Sequence, residues 1–368
     1  MNAPNETFGG GANSSDGGPT EENSNMSPLM KNVFYCLYAT VFSLAFVGNT
    51  LALITCYKTY KVTTSVLLCF IASLASADLM FTLLSIFDLI AFIHDGDWFG
   101  GNPVCKIQSF LIEASYTVSI LTLVAISRER LKAVSSPVLA RAQRTTHRIV
   151  IPIIIWVLGI ATCTPLLHAY YIKKEEDTGK SLCVNENIGD LGRQTYYAVQ
   201  AGFLFILPLT FMIWAHSQIF RLLSKHVKTR NSIMSDNREG LKQRKITKML
   251  AVVTLVFFVC YGPFMVIRAL RYFYVYNGDM IWRLSQMMIF MQAGMNPIIY
   301  CFYSKQFRFS FKDLICCCFS KDHKKMTKPR SASVRSISST KSSQNTFAVN
   351  EFCVNKPELQ GRYTLRHV

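Results

Sequence analysis

Seven long apolar stretches constrain the fold of this 368-residue chain more than any other feature. A helix needs about 20 mainly apolar residues to cross the hydrocarbon core of a bilayer. The stretches that meet this length are residues 33–57, 66–93, 104–127, 149–171, 197–222, 246–267 and 281–302. Membrane-spanning strands would instead alternate over about ten residues. We therefore expect an all-α membrane protein built as a bundle of seven transmembrane helices.

The composition agrees with a membrane protein. Half of the residues (50%) are hydrophobic and 17% are charged, whereas soluble domains carry about 25% charged residues. Much of the net charge of +17 comes from short segments next to the spans, and this pattern argues against a nucleic-acid partner, which requires a basic face. The third and seventh spans are the least hydrophobic, as expected for helices that bury polar groups against other helices.

Lysine and arginine residues in the short loops predict how the spans are oriented. They cluster after the first, third, fifth and seventh spans, whereas the alternate loops carry mixed charge, as in HDGDW and KKEEDTGK. Since basic residues accumulate on the cytoplasmic side, we expect an extracellular N-terminus and a cytoplasmic C-terminus. The protein is then a multi-pass protein of the plasma membrane.

The residues outside the spans divide the chain into three parts. Residues 1–32 lack the basic and apolar regions of a signal peptide and are predicted to be a disordered extracellular tail. They contain three glycosylation acceptor triplets, at Asn5, Asn13 and Asn25. Residues 33–318 form the predicted membrane domain, and residues 319–368 form a disordered cytoplasmic tail.

Cys105 and Cys183 are the two cysteines that this topology places in extracellular loop regions. The first lies at the outer end of the third span, and the second lies in the loop after the fourth. Because the extracellular side is oxidising, we expect a disulfide bond between them that holds this loop over the mouth of the bundle. Two free thiols are the alternative.

Short motifs occur in a characteristic order along the spans. They are GNT with Asn49, LASADL with Asp78, WFGG with Trp98, ERLKAV with Arg130, the pair Trp156 and Pro165, Pro208, FFVCYGP with Pro263, and NPIIY with Asn296 and Pro297. As a set, covering residues 33–319, they resemble the rhodopsin-like (class A) family of G-protein-coupled receptors. The resemblance implies a receptor that binds an extracellular ligand, activates a heterotrimeric G protein inside and is not an enzyme.

The resemblance also implies an activation switch at the cytoplasmic end. Arg130 follows Cys105 by about 25 positions, which at about 1.5 Å per residue places it at the opposite membrane face. Glu129 can hold Arg130 in the resting state, and a snorkelling arginine is the alternative. Pro297 removes a backbone hydrogen bond and kinks the seventh span, which lets Tyr300 swing inward. The remaining switch candidates are Tyr261, Pro263 and Asn296.

Asp78 lies in the middle of the second span, where an ionisable group predicts a functional site. Asn49, Ser119 and Asn296 are its expected polar neighbours. By resemblance this cluster holds a sodium ion in the inactive state, since oxygen ligands suit a hard cation. A purely structural hydrogen-bonded cluster is the alternative.

Several positions depart from the family pattern. Leu131 replaces the usual tyrosine after the switch arginine, Tyr261 replaces a tryptophan, and His216 replaces a tyrosine. At the cytoplasmic start of the sixth span, Gln243 stands where an acid is common, so the usual salt bridge from Arg130 is absent. We expect a loosely held resting state with some ligand-free activity. We expect His216 to be a neutral packed histidine, with a pH sensitivity as the alternative.

Charged and amide residues near the outer mouth are the candidates for ligand binding. They are Asp88, Glu113, Gln200, Arg268 and Gln286. The third span has Ile112 where amine receptors have an aspartate, and the seventh has Phe290 where opsins have a lysine. Both signs of charge among aromatic residues favour a peptide-type receptor, although Glu113 and Arg268 can simply pair. A lipid or small-molecule amine is the alternative, and a transporter is a distant one because no internal repeat is visible.

The segment after the seventh span predicts attachment to the membrane and regulation. SKQFRFSFKDL alternates basic and aromatic residues, as expected of an amphipathic helix 8 on the inner leaflet. Cys316, Cys317 and Cys318 follow and are candidates for palmitoylation, with unmodified thiols as the alternative. The serines of KPRSASVRSISSTKSS are kinase candidates, and the resemblance implies arrestin and receptor kinases as partners.

Overall fold

The computed structural model describes residues 27–61, 66–136, 146–176, 178–230, 237–275, 279–304, 307–309 and 311–312. At residues 146–148, 225–230, 237–243 and 279 it describes the backbone alone. All of the described residues belong to one compact unit.

Helices make up most of the described ranges. They are α1 (Pro28–Tyr60), α2 (Val66–Ile93), α3 (Gly101–Ser135), α4 (Thr146–Cys163), α5 (Leu166–Ala169), α6 (Gly189–Ala201), α7 (Leu207–Arg230), α8 (Asn237–Tyr272) and α9 (Asp279–Tyr303). A π-helical segment, Gly202–Ile206, joins α6 to α7. Two strands, β1 (Tyr171–Lys174) and β2 (Ser181–Val184), lie between α5 and α6.

The seven predicted spans correspond in order to α1, α2, α3, α4 with α5, α6 with α7, α8 and α9. Within the described ranges, six of these segments are long and apolar enough to cross a membrane, including the third. The seventh, α9, has 25 residues but carries charged and amide side chains that lower its hydropathy. It therefore behaves as expected for a helix that faces other helices.

The start of α1 lies a turn before the predicted boundary at residue 33. Ser27 is the N-cap, and its hydroxyl accepts a hydrogen bond from the backbone N–H of Met30 at 3.3 Å. Pro28 follows in the first turn, where its fixed φ suits a helix and its missing N–H costs nothing. The first residues of α1 thus belong to the segment predicted as tail.

Two glycines allow helices to approach closely. A Cβ atom at Gly48 of α1 would lie 2.8 Å from Cβ of Pro297 in α9. A Cβ atom at Gly159 of α4 would lie 2.7 Å from Cγ2 of Val118 in α3. Small residues at helix interfaces let backbones pack without overlap in membrane proteins. The outer face of α4 instead exposes apolar side chains such as Ile153, as expected for contact with lipid.

A β-hairpin is the main feature that the sequence analysis did not predict. β1 and β2 are antiparallel, and Ile172 pairs with Cys183. The backbone N–H of Trp98, in the loop after α2, donates to Ser181 O at 2.7 Å. The expectation of an all-α protein is therefore correct for the bundle and omits this hairpin, which covers the end of the bundle where Cys105 lies.

Part of the predicted helix 8 is visible. Residues 307–309 and 311–312 are helical, Phe307 is buried, and Arg308 and Phe309 are exposed. The rings of Phe307 and Phe311 lie 6.1 Å apart. A buried ring beside exposed basic and aromatic residues agrees with an amphipathic segment.

Candidate functional site

The disulfide bond between Cys105 and Cys183 is present, as predicted. It links the first turns of α3 to strand β2, with a Cα–Cα distance of 5.7 Å. We call this end of the bundle the disulfide end, and the opposite end the Arg130 end. Since β2 is fixed to both α3 and the Trp98 loop, the hairpin has a defined position above the helices.

A cavity of about 700 Å³ opens at the disulfide end beneath the hairpin. Four of the five predicted ligand-site residues line it: Asp88, Glu113, Arg268 and Gln286. The fifth, Gln200, is buried behind the wall and bonds to two of the others. Aromatic side chains from α1, α2, α3, α8 and α9 form much of the remaining lining. The size suits a drug-sized group or several peptide residues.

An ion pair joins α3 to α8 in the wall of this cavity. Nη1 of Arg268 lies 2.7 Å from Oε1 of Glu113, and both side chains are buried. Gln200 completes the network: its Nε2 donates to Glu113 Oε2 at 2.9 Å, and its Oε1 accepts from Arg268 Nη2 at 2.8 Å. The guanidinium also lies over the ring of Tyr197, at 4.6 Å from the centroid. The pairing that the sequence analysis kept as an alternative is therefore the observed arrangement.

Asp78 lies in a buried polar cluster in the middle of the bundle. Its Oδ1 accepts from the Ser119 hydroxyl at 3.2 Å, and its Oδ2 accepts from Asn296 Nδ2 at 2.7 Å. Asn49 does not bond to Asp78 directly; its Nδ2 donates to the carbonyls of Ala45 and Ala293 at 2.9 and 3.0 Å. The carbonyl oxygens of the Asn49 and Asn296 side chains are buried and have no hydrogen-bond partner among the described residues.

Arg130 is partly buried near the C-terminal end of α3. The expected lock between Arg130 and Glu129 is not the observed contact. The Glu129 carboxylate instead lies 3.5 Å from Nη1 of Arg128, its neighbour on the other side in the sequence. No ion pair joins Arg130 to a described carboxylate.

The other predicted switch residues lie between the cavity and the Arg130 end. Tyr261 is buried about two turns after the middle of α8, and its ring stacks on Phe257 with centroids 5.2 Å apart. Pro263 and Pro297 lie inside α8 and α9. Tyr300 is buried, and its ring centroid lies 5.5 Å from that of Phe307, in the helical segment after α9.

His216 contributes a polar contact between α7 and α8. Its Nε2 lies 3.0 Å from the Thr254 hydroxyl, and its Nδ1 is buried without a hydrogen-bond partner. This packed arrangement is the one expected for His216 from the sequence. The side chain of Gln243 lies outside the described part of the structure.

Several site residues were not singled out from the sequence. Asn185, just after β2, donates to the hydroxyls of Tyr197 and Tyr272 at 3.1 and 3.0 Å and so ties the hairpin to α6 and α8. Gln108 donates to Asp88 Oδ2 at 3.0 Å. Such neutral partners form no motif in the sequence. Only their contacts across the fold identify them.

The predicted modification sites lie outside the described residues. These are the glycosylation acceptors Asn5, Asn13 and Asn25 and the palmitoylation candidates Cys316, Cys317 and Cys318. The serine-rich tail lies there as well.

Comparison with known proteins agrees with this arrangement. Residues 48–300 match the family model for the 7 transmembrane receptor (rhodopsin family). Galanin receptor 2b of Danio rerio is 28% identical over 295 residues, 77% of this chain and 75% of the relative. QRFP-like peptide receptor of Branchiostoma floridae is 26% identical over 306 residues, 79% of this chain and 80% of the relative.

A third relative, tachykinin-like peptides receptor 86C of Drosophila melanogaster, is 26% identical over 309 residues, 78% of this chain and 59% of the relative. The match to the family model covers more than half of the chain. Receptors of this family transmit a signal across the membrane and catalyse no reaction. The chain therefore belongs to the rhodopsin family of seven-transmembrane receptors, the class A G-protein-coupled receptors.

Proposed function

We propose that this receptor is activated by an extracellular peptide that enters the cavity at the disulfide end. The observation that carries the proposal is the cavity itself, which combines acidic, basic and aromatic side chains beneath a fixed hairpin. Peptides offer termini, amides and side chains of both charges, which such a lining can bind. The names of the three relatives described above, which refer to galanin, QRFP-like peptides and tachykinin-like peptides, support the same ligand class.

The proposal includes the location of the protein. Basic residues follow the odd-numbered spans, so the Arg130 end faces the cytoplasm and the disulfide end faces the outside of the plasma membrane. The oxidising environment that a disulfide needs supports the same orientation. Residues 1–32 then form an extracellular tail glycosylated at its three acceptors, and residues 319–368 form a cytoplasmic tail beyond the receptor domain of residues 33–318.

The proposed response to the ligand is an outward movement of α8 at the Arg130 end. Tyr261 lies next to the cavity wall, and the prolines at 263 and 297 leave gaps in the backbone ladders of α8 and α9. Such helices can adopt two arrangements, as a switch requires. Arg130 and Tyr300 then rearrange to admit a heterotrimeric G protein.

Sodium is proposed as an inhibitory ion at Asp78. The carboxylate, the Ser119 hydroxyl and the unpartnered Oδ1 of Asn296 supply oxygen donors in one buried cluster. Hard cations are bound by such oxygens. These residues therefore fit the ion, which would stabilise the resting arrangement of α2, α3 and α9.

Regulation at the cytoplasmic side completes the proposal. Palmitoylation of the cysteines at 316–318 would add a lipid anchor beside helix 8. Phosphorylation of the serine-rich tail by receptor kinases would reverse its local charge, and arrestin would bind the phosphorylated form.

The first experiment measures cAMP, calcium and inositol phosphate in cells that express the receptor without ligand. Arg130→Ala is compared at matched surface level, with Arg128→Ala as the control because Arg128 is exposed and pairs with Glu129. We expect wild type and Arg128→Ala to change a messenger and Arg130→Ala not to. An Arg130→Ala receptor that signals like wild type would contradict the switch role of Arg130.

The ligand class is tested with fractionated peptide extracts applied to the same cells. We expect an activating fraction whose effect disappears after digestion with a broad-specificity protease. If the activating substance survives digestion and extracts into organic solvent, the ligand is a lipid and not a peptide.

A further inference from the structure

The acids that line the cavity differ in their partners. Glu113 is paired with Arg268 at 2.7 Å, and Glu186 is paired with Lys173 at 3.0 Å. Asp88 forms no ion pair with any described residue. Its one hydrogen bond within the described ranges comes from Nε2 of Gln108, which donates to Oδ2 at 3.0 Å.

Asp88 is nevertheless positioned for contact with a ligand. It lies on α2, its side chain is exposed in the cavity, and its Oδ1 accepts no hydrogen bond from a described residue. Gln108, which is buried in α3, fixes the other oxygen. Because one carboxylate oxygen is fixed by Gln108, the other oxygen has a defined orientation. It can accept a hydrogen bond from a ligand group that enters the cavity.

Aromatic rings line the same cavity as this carboxylate. The rings of Tyr38 and Phe290 stack with centroids 4.7 Å apart, and those of Phe81 and Tyr116 lie 4.9 Å apart. The Tyr38 hydroxyl forms a hydrogen bond with the Ser85 hydroxyl at 2.7 Å. Aromatic faces attract cations and do not attract anions.

Arg283 shows that this environment accepts a guanidinium. Its Cζ lies 4.7 Å from the ring centroid of Phe92, one turn after Asp88 in α2. Arg283 does not reach the Asp88 carboxylate to form an ion pair. The Arg283 guanidinium thus lies on the Phe92 ring at the rim of the cavity, and the Asp88 carboxylate, one turn deeper in α2, can pair with a cation of the ligand.

We infer that Asp88 and the aromatic rings of the same cavity form a subsite for a cationic group of the ligand, an amidinium, guanidinium or ammonium. This inference rests on the proposed function of the cavity and narrows it to peptides with an arginine, a lysine or a free N-terminus. Glu113 is not the acid that binds this group, because Arg268 already neutralises it. The specificity of the receptor for basic ligands therefore depends on α2.

Benzamidine and benzamide provide the test, since they have nearly the same shape and differ in charge. Each is added at the same concentrations to the purified full-length receptor in lipid nanodiscs, and the shift in unfolding temperature gives its Kd. We expect benzamidine to bind wild type about tenfold more tightly than benzamide, as a charge-assisted hydrogen bond provides. Asp88→Asn should make the two affinities equal.

Asp95→Asn is the matched control. It makes the same change in an acid at the same end of the bundle, but Asp95 already pairs with Lys31 at 2.7 Å. We expect it to keep the preference for benzamidine. Asp88→Glu, which retains the carboxylate, should also keep part of the preference. Asp88→Ser, which removes the carboxylate, replaces the asparagine variant if that variant does not fold.

Two results would overturn the inference. One is equal binding of benzamidine and benzamide by wild type, and the other is a preference that survives Asp88→Asn. Because the readout is binding and not signalling, it is independent of the proposed activation by a peptide. A receptor that prefers benzamidine through Asp88 but is activated by a protease-resistant lipid would refute the proposed ligand and leave the subsite intact.

Discussion

Nη1 of Arg268 in α8 and Oε1 of Glu113 in α3 lie 2.7 Å apart in the cavity wall, with both side chains buried. The contact joins the helix that is proposed to move to the helix that carries Arg130. A charge buried without its partner is costly, whereas removing both charges together is often tolerated. The pair therefore gives a specific expectation for single and double variants.

Arg268→Met and Glu113→Leu should each lower the free energy of unfolding by about 3–5 kcal/mol, because each leaves the other charge unpaired. The double variant should lose much less than the sum of the two. Thermal unfolding of the purified variants measures the coupling as a double-mutant cycle. Losses that simply add would show that the ion pair contributes nothing beyond packing.

Gly48→Ala should destabilise the contact between α1 and α9. The added methyl group would lie 2.8 Å from Cβ and 2.9 Å from Cγ of Pro297, and overpacking of this kind costs about 1–3 kcal/mol. Gly202→Ala is the control, because an added Cβ there meets no atom within 4 Å. The unfolding temperature of each variant checks the prediction, and an unchanged value for Gly48→Ala would mean that α1 moves away at no cost.

The helix bundle was predictable because each transmembrane helix corresponds to a long apolar stretch of the sequence. Apolar spans and ordered motifs define seven helices, and the predicted span at residues 66–93 coincides with α2. The hairpin was not predictable, because YIKK and SLCV are four residues each and show neither alternation nor a turn motif. Their pairing depends on the disulfide and on the contact of Ser181 with the Trp98 backbone, which are tertiary features.

Candidate residues of the ligand site could be predicted from the sequence, but the contacts between them could not. Four of the proposed ligand-site residues line the cavity, yet the roles of Asp88 and Glu113 depend on which has a cation within reach. Glu129 illustrates the same limit. It is adjacent to both Arg128 and Arg130 in the sequence, which does not tell which of the two its carboxylate approaches, and in the structure the carboxylate lies 3.5 Å from Nη1 of Arg128.

The ion pair between Lys31 and Asp95 should make stability depend on pH in the acid range. The hydrogen bond and charge of Lys31, at 2.7 Å, hold the pKa of the Asp95 carboxyl below its usual value. Because the folded pKa is the lower one, the stabilisation is present above the unfolded value of about 4 and is lost as the pH falls through the folded value.

The measurement is the difference in unfolding temperature between wild type and Asp95→Asn from pH 7 to pH 3. We expect wild type to be the more stable at neutral pH and the difference to shrink as the pH falls toward 3. Both residues are solvent-accessible, so high salt should reduce the neutral-pH difference. A difference that grows on acidification would have the wrong sign for this pair.

Sodium should stabilise the receptor through Asp78. In the buried cluster, the Asp78 carboxylate accepts hydrogen bonds from Ser119 and Asn296, and Oδ1 of Asn296 has no hydrogen-bond partner among the described residues. A bound cation would be coordinated by these oxygens. Replacing choline chloride in the buffer with sodium chloride at constant ionic strength should raise the unfolding temperature of wild type. The rise should increase with the fraction of receptor that has sodium bound. Asp78→Asn should abolish the rise, Ser119→Ala should reduce it, and Asp95→Asn should leave it unchanged. Equal shifts in all four proteins would assign the effect of sodium to general screening and leave the cluster with a structural role.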